Sequence, residues 1–105
     1  MIVQQVLEKE LQESELWLIR EQEESTYKRD LKKRIELITW VLESMKNPNT
    51  NICKIIESKM DEILIKIKKT NNIFEMDPLD SELRILNWIL YQVCKDQQKK
   101  FLNSL

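Results

Sequence analysis

The chain has 105 residues, of which 42% are hydrophobic and 33% are charged, and its formal net charge is −1. This balance excludes a disordered chain, and the length is typical of one domain, so residues 1–105 are expected to form a single helical domain. Glycine and histidine are absent, which excludes glycine-rich phosphate loops and removes the commonest general base and metal ligand. We therefore expect no enzyme, no cofactor, no metal site and no small-molecule substrate.

The chain contains no apolar run near the roughly 20 residues that a transmembrane helix needs. Its first residues show neither the basic region nor the long apolar run of a signal peptide. These features predict an intracellular protein, in the cytoplasm or nucleus, without a membrane partner. Cys53 and Cys94 are accordingly expected to be two buried thiols. A disulfide joining two helices is the alternative.

Two polar interruptions, residues 47–51 and 70–77, leave helices predicted over about 2–46, 51–69 and 78–103. Pro48 disfavours helix at the residue before it, and Asn49 or Thr50 can cap the helix that follows. Asn71 and Asn72 can end the second helix, and Asp77 is the expected N-cap before Pro78 at the first position of the third. Each helical stretch carries an apolar stripe at helical spacing. The sequence thus predicts an all-α fold, in which a long N-terminal helix and two shorter helices pack as an antiparallel bundle or coiled coil.

The first stretch is long, and as a continuous helix it would extend about 68 Å at 1.5 Å per residue. The alternative is a break near residues 23–26, after which the chain folds back into a four-helix bundle. We favour the continuous helix, because residues 20–30 contain neither glycine nor proline. A cap at Ser25 or Thr26 would also be followed by Lys28, whose charge is unfavourable at a helix N-terminus.

A continuous first helix divides the domain into an acidic segment, residues 1–24, and a bundle core, residues 25–105. The acidic segment has seven glutamates against Lys9 and Arg20, whereas residues 25–46 are net basic. Its apolar face would be uncovered, and such a face normally marks an interface. Complementary charge then predicts an antiparallel pair with a second copy. The expected interface residues are Val3, Leu7, Leu11, Trp17 and Leu18.

A basic cluster follows the acidic segment and comprises Lys28, Arg29, Lys32, Lys33 and Arg34. Clustered cations of this kind can release counterions from nucleic acid. The whole chain, however, has a pI of about 5.6, whereas nucleic-acid-binding domains are usually strongly basic. We therefore expect this cluster to be a solvated helix face.

These patterns predict protein–protein association, as a helical scaffold or adaptor that forms a homodimer or docks on a helical partner subunit. The first alternative is a nucleic-acid-associated helical factor that uses the basic cluster. The second is a secreted four-helix cytokine, which would require a Cys53–Cys94 disulfide. The second interruption contains three apolar residues, Ile73, Phe74 and Met76. We expect them to pack on the bundle and hold this segment in place. The alternative is a partner-binding knob.

Overall fold

The computed structural model describes residues 2–94, which form four α-helices and contain no strand. The all-α prediction is confirmed, but the three-helix arrangement is wrong and the four-helix alternative is correct. The end of the last predicted helix, residues 95–103, lies outside the described residues. The helices are α1 (Ile2–Arg20), α2 (Thr26–Met45), α3 (Ile52–Lys69) and α4 (Ile73–Val93).

Short links join the helices into an up-down-up-down bundle. Gln4 and Met45 line one groove, which places the start of α1 beside the end of α2. Arg29 bonds Asp77, so α2 and α4 begin at the same end of the bundle and run parallel. Within the described residues α2 and α4 are in contact across the bundle, whereas α1 and α3 lie at opposite corners without close backbone approach.

The break in the first predicted helix lies at residues 21–25. Ser25 adopts an extended backbone and its hydroxyl accepts a hydrogen bond from the Lys28 backbone N–H at 3.0 Å, which caps α2. The unfavourable charge of Lys28 is offset by Glu24, whose carboxylate lies 3.1 Å from the lysine Nζ. The continuous helix was wrong because folding back buries the apolar face of α1, and tertiary burial outweighs local helix propensity.

α4 begins earlier than the sequence indicated. Asn72 is its N-cap and accepts from the Phe74 backbone N–H at 2.8 Å. Pro78, expected at the first helical position, lies inside the helix instead. Asn72 competes successfully as a cap because the Thr70 hydroxyl also donates to the Glu75 carboxylate at 2.8 Å, which supports the first turn.

The core runs along the centre of the bundle and draws on every helix. α2 and α4 supply most of it. The α2 stripe predicted from spacing also faces inward, with Leu31 and Ile38 buried. The buried apolar residues that form the core cluster are Leu7, Leu37, Ile38, Val41, Ile56, Ile63, Ile85, Leu86, Ile89, Leu90 and Cys94.

Cys53 and Cys94 form a disulfide, so the expectation of two buried thiols is wrong. The bond joins the first turn of α3 to the C-cap of α4 and therefore closes the end of the bundle that also carries the α2–α3 link. We call this end the disulfide end. The bundle nevertheless differs from the cytokine type, which has two long crossover connections, because its links span only five, six and three residues.

Candidate protein-binding surface

Exposed apolar side chains gather at the end of the bundle opposite the disulfide. Eight of the nine large hydrophobic residues that are exposed within the described chain lie there, and the ninth, Tyr91, lies near the disulfide end. These residues are brought to one end of the bundle because α1 and α3 end there and α2 and α4 begin there. We call this end the apolar end. Its exposed residues are Leu16, Trp17, Ile19, Tyr27, Leu64, Ile65, Ile73 and Phe74.

The first turn of α4 carries the most exposed of these side chains. Phe74 is 88% exposed and Ile73 is 77% exposed, whereas Met76 is partly buried. The expectation that all three pin a loop onto the bundle is therefore wrong for Ile73 and Phe74. Ile73 and Met76 border an open groove of about 350 Å³ that Ile67 of α3 also lines. Asp77 and Asp80 complete the lining of the groove. Phe74 follows Ile73 in the chain and projects from the bundle, as a partner-binding knob would.

The last turns of α1 form the second part of the apolar end. Trp17 is 50% exposed, and the Arg20 guanidinium lies 5.4 Å from the centroid of its ring. A cation at this distance from an indole face is attracted to the ring, which favours one orientation of the tryptophan. Leu16 and Ile19 are exposed on the same segment, and Leu18 is partly buried.

The other predicted interface residues lie within the bundle. Leu7 is fully buried in the core, and Val3 and Leu11 are partly buried against it. α1 thus covers its apolar face by folding onto the rest of its own chain, and the uncovered face that a continuous helix required does not exist. The charge complementarity between residues 1–24 and 25–46 is used in the same way, since Arg34 donates to the Glu10 carboxylate at 3.0 Å.

Each residue of the predicted basic cluster is paired with a carboxylate. Lys28 and Lys32 approach Glu24, at 3.1 and 3.9 Å. Lys33 contacts Glu36 at 3.2 Å, and Arg34 contacts Glu10. A phosphate backbone would have to compete with these carboxylates, so the geometry does not favour the cluster as a nucleic-acid surface.

Arg29, the remaining member, has a structural role. Its guanidinium contacts Asp30 at 2.9 Å and Asp77 at 3.0 Å, and the Ser81 hydroxyl lies 3.5 Å from the Asp30 carboxylate. Hydrogen bonds to Asp30 and Asp77 raise the pKa of Arg29, which stays charged. This network joins the first turns of α2 and α4 and fixes the frame on which the apolar end is built.

No family model matches the chain, and no curated protein or solved structure is significantly similar to it. None of the helices between residues 2 and 94 is both long and apolar enough to cross a membrane.

Proposed function

We propose that this chain is a protein-association module, a helical scaffold or adaptor that binds a protein partner through its apolar end. The observation that carries the proposal is the collection of exposed apolar side chains at one end of the bundle. Large apolar patches are uncommon on monomeric soluble proteins and mark interaction sites. Burying them against partner helices would supply the main favourable free energy of binding.

Trp17 and Phe74 are the proposed anchors. Tryptophan is enriched at binding hot spots, where a large rigid side chain fills a partner pocket at a small entropic cost. Trp17 retains half of its surface exposed while Arg20 contacts its ring, so it is partly ordered before binding. Phe74 is nearly free of the bundle and sits beside the groove at Ile73. Leu18, also expected at the interface, is partly buried.

The disulfide bears on where the module works. Structural disulfides persist in oxidising compartments and are rare in the cytosol. The intracellular location expected from the sequence therefore competes with an oxidising one, and we place the module where Cys53 and Cys94 stay joined. Alkylating intact source cells before lysis tests this location. Two labelled cysteines per chain would contradict it, and none would support it.

A photo-crosslinking amino acid at position 74 tests the binding role in the cells that make the protein. We expect a covalent adduct to a specific protein, and its loss when Trp17→Ala is added. The control places the same amino acid at position 57, because Glu57 is exposed on α3 towards the disulfide end. The proposal fails if position 74 gives no adduct beyond those obtained at position 57.

A further inference from the structure

The two helices that finish at the apolar end differ in charge near their C-termini, with carboxylates predominating on α1 and lysines on α3. The acidic side is formed by α1 and the link that follows it, where Glu13, Glu15, Glu21 and Glu23 have no ion-pair partner within the described chain. Three of these carboxylates are exposed and Glu21 is partly exposed. We call these four residues the acidic edge.

The basic side is formed by the last turn of α3. Lys66, Lys68 and Lys69 are exposed, and none of them pairs with a carboxylate of the described residues. We call these three residues the basic edge. They suit a helix C-terminus, where cations interact favourably with the helix dipole. The pairing seen throughout the basic cluster of α2 is thus missing at this position.

The two edges cannot neutralise each other within one chain. α1 and α3 occupy opposite corners of the bundle and make no close backbone approach in the described part of the chain. The exposed apolar side chains of this end lie on all four helices. One molecule therefore presents exposed apolar side chains together with a negative corner at α1 and a positive corner at α3.

We infer that the partner at the apolar end is a second copy of this chain, related by a two-fold axis, with the acidic edge of each copy against the basic edge of the other. In a two-fold interface every contact occurs twice, so one acidic-to-basic contact implies the reciprocal one. The exposed apolar side chains of both copies, including Trp17 and Phe74, are then buried between them. This inference rests on the proposed protein-binding role of the apolar end, and it replaces the pairing of whole N-terminal helices expected from the sequence.

Light scattering coupled to size exclusion, over a concentration series, tests the inference with charge-reversal variants. The wild type is expected to reach twice 12.7 kDa as concentration rises, and to dissociate more readily at high salt because the flanking charges are screened. Lys66→Glu, Lys68→Glu and Lys69→Glu together reverse the basic edge. Glu15→Lys, Glu21→Lys and Glu23→Lys together reverse the acidic edge.

Each triple variant alone should dimerise more weakly, with a dissociation constant raised by about tenfold or more, because like charges then face each other. An equimolar mixture of the two should recover a 1:1 dimer, because the reversed edges are again complementary. The matched control is Lys9→Glu with Lys54→Glu, which changes exposed lysines in the half of the bundle near the disulfide and should leave dimerisation unchanged.

Circular dichroism establishes that each variant retains the wild-type helix content. If a triple reversal unfolds, the milder set of Lys66→Gln, Lys68→Gln and Lys69→Gln replaces it and should weaken the dimer and reduce its salt dependence. The inference is overturned if the wild type is monomeric at every concentration, or if neither triple reversal on its own weakens the dimer.

The crosslinking experiment separates this inference from the proposed function. A monomeric wild type whose position 74 still captures a different protein would refute the second copy and leave the binding role intact. A monomer that gives no specific adduct would refute both. An adduct between two copies, recovered together with a reversal-sensitive dimer, would support both.

Discussion

The two ends of the bundle are built from the same four amphipathic helices, yet they differ in covalent bonding and in the exposure of their apolar side chains. At the disulfide end a covalent bond joins α3 to α4, and Asn51 caps α3 by accepting from the Lys54 backbone N–H. Leu7, Val41 and Ile56 are fully or almost fully buried in this half. At the apolar end the core gives way to exposed side chains such as Phe74. One end is therefore closed by a covalent bond above a buried part of the core, whereas the other leaves large apolar side chains exposed.

The largest effect should come from removing the covalent link. The bond joins residues 41 positions apart, and closing a loop of this length restricts the unfolded chain enough to contribute about 4 kcal/mol. Cys53→Ser with Cys94→Ser should lower the free energy of unfolding by about that amount in urea titrations followed by circular dichroism. Reducing the wild type should give the same loss, and a change below about 1 kcal/mol would contradict the stabilising role assigned to this end.

A pair of truncations compares the ends directly. Leu7→Ala removes a fully buried side chain and should cost about 3 kcal/mol, because it leaves a cavity in the core. Phe74→Ala removes a side chain that is 88% exposed and should change stability by less than about 0.5 kcal/mol. Thermal and urea unfolding of both variants measure the difference in stability. Equal destabilisation by the two substitutions would contradict the contrast between the two ends of the bundle.

The cap that starts α2 should have a smaller effect. The Ser25 hydroxyl accepts from the Lys28 backbone N–H, and replacing such a cap with alanine typically costs about 1 kcal/mol. Ser25→Ala should therefore lower the free energy of unfolding by that amount, while Ser25→Asn, which keeps an acceptor, should restore most of it. If the alanine variant is as stable as the wild type, the break between α1 and α2 does not depend on this cap.

The smallest predicted effect is on the stability of the fold at acidic pH. A hydrogen bond from Lys28, together with the charges of Lys28 and Lys32, lowers the pKa of Glu24. A carboxyl whose folded-state pKa is depressed stabilises the fold above its unfolded pKa, and this contribution is lost as pH falls through the folded value. An NMR titration should show the Glu24 midpoint rising towards the ordinary range in Lys28→Met and staying unchanged in Lys33→Met. An unmoved midpoint in Lys28→Met would contradict the contact.

Much of the fold could be predicted from the sequence because burial and capping leave local signals. Leu31 and Ile38 of the predicted α2 stripe are buried, and α3 ends at Lys69, as predicted. Asn51 was expected to be the first residue of α3 and is instead its N-cap. The break at residues 21–25 was missed because glutamate-rich segments favour helix in isolation. What ends α1 there is the burial of Leu7 against helices that come later in the chain, and no local pattern contains that contact.

The candidate surface was predictable only in part. Trp17 was expected at an interface and lies at the apolar end, but that role remains a prediction. Ile65 and Phe74 join it there only because the fold brings the ends of α1 and α3 beside the starts of α2 and α4. A signal was present, since Leu16 and Ile19 are apolar residues outside the stripe that contains Leu7 and Leu11. Such off-stripe apolar positions indicate exposed side chains once the core face of a helix is known.

The short links also have a kinetic consequence. α1 packs on α2 and α3 packs on α4, so most contacts join residues that are close in the chain. Low contact order of this kind is typical of helical bundles that fold within microseconds to milliseconds. The α1–α2 hairpin and the α3–α4 hairpin can each form before they pack on each other. The ion pair between Arg29 and Asp77 then joins the two hairpins. The chain would therefore reach its native topology quickly, with little time in which the side chains of its apolar end could engage other unfolded chains.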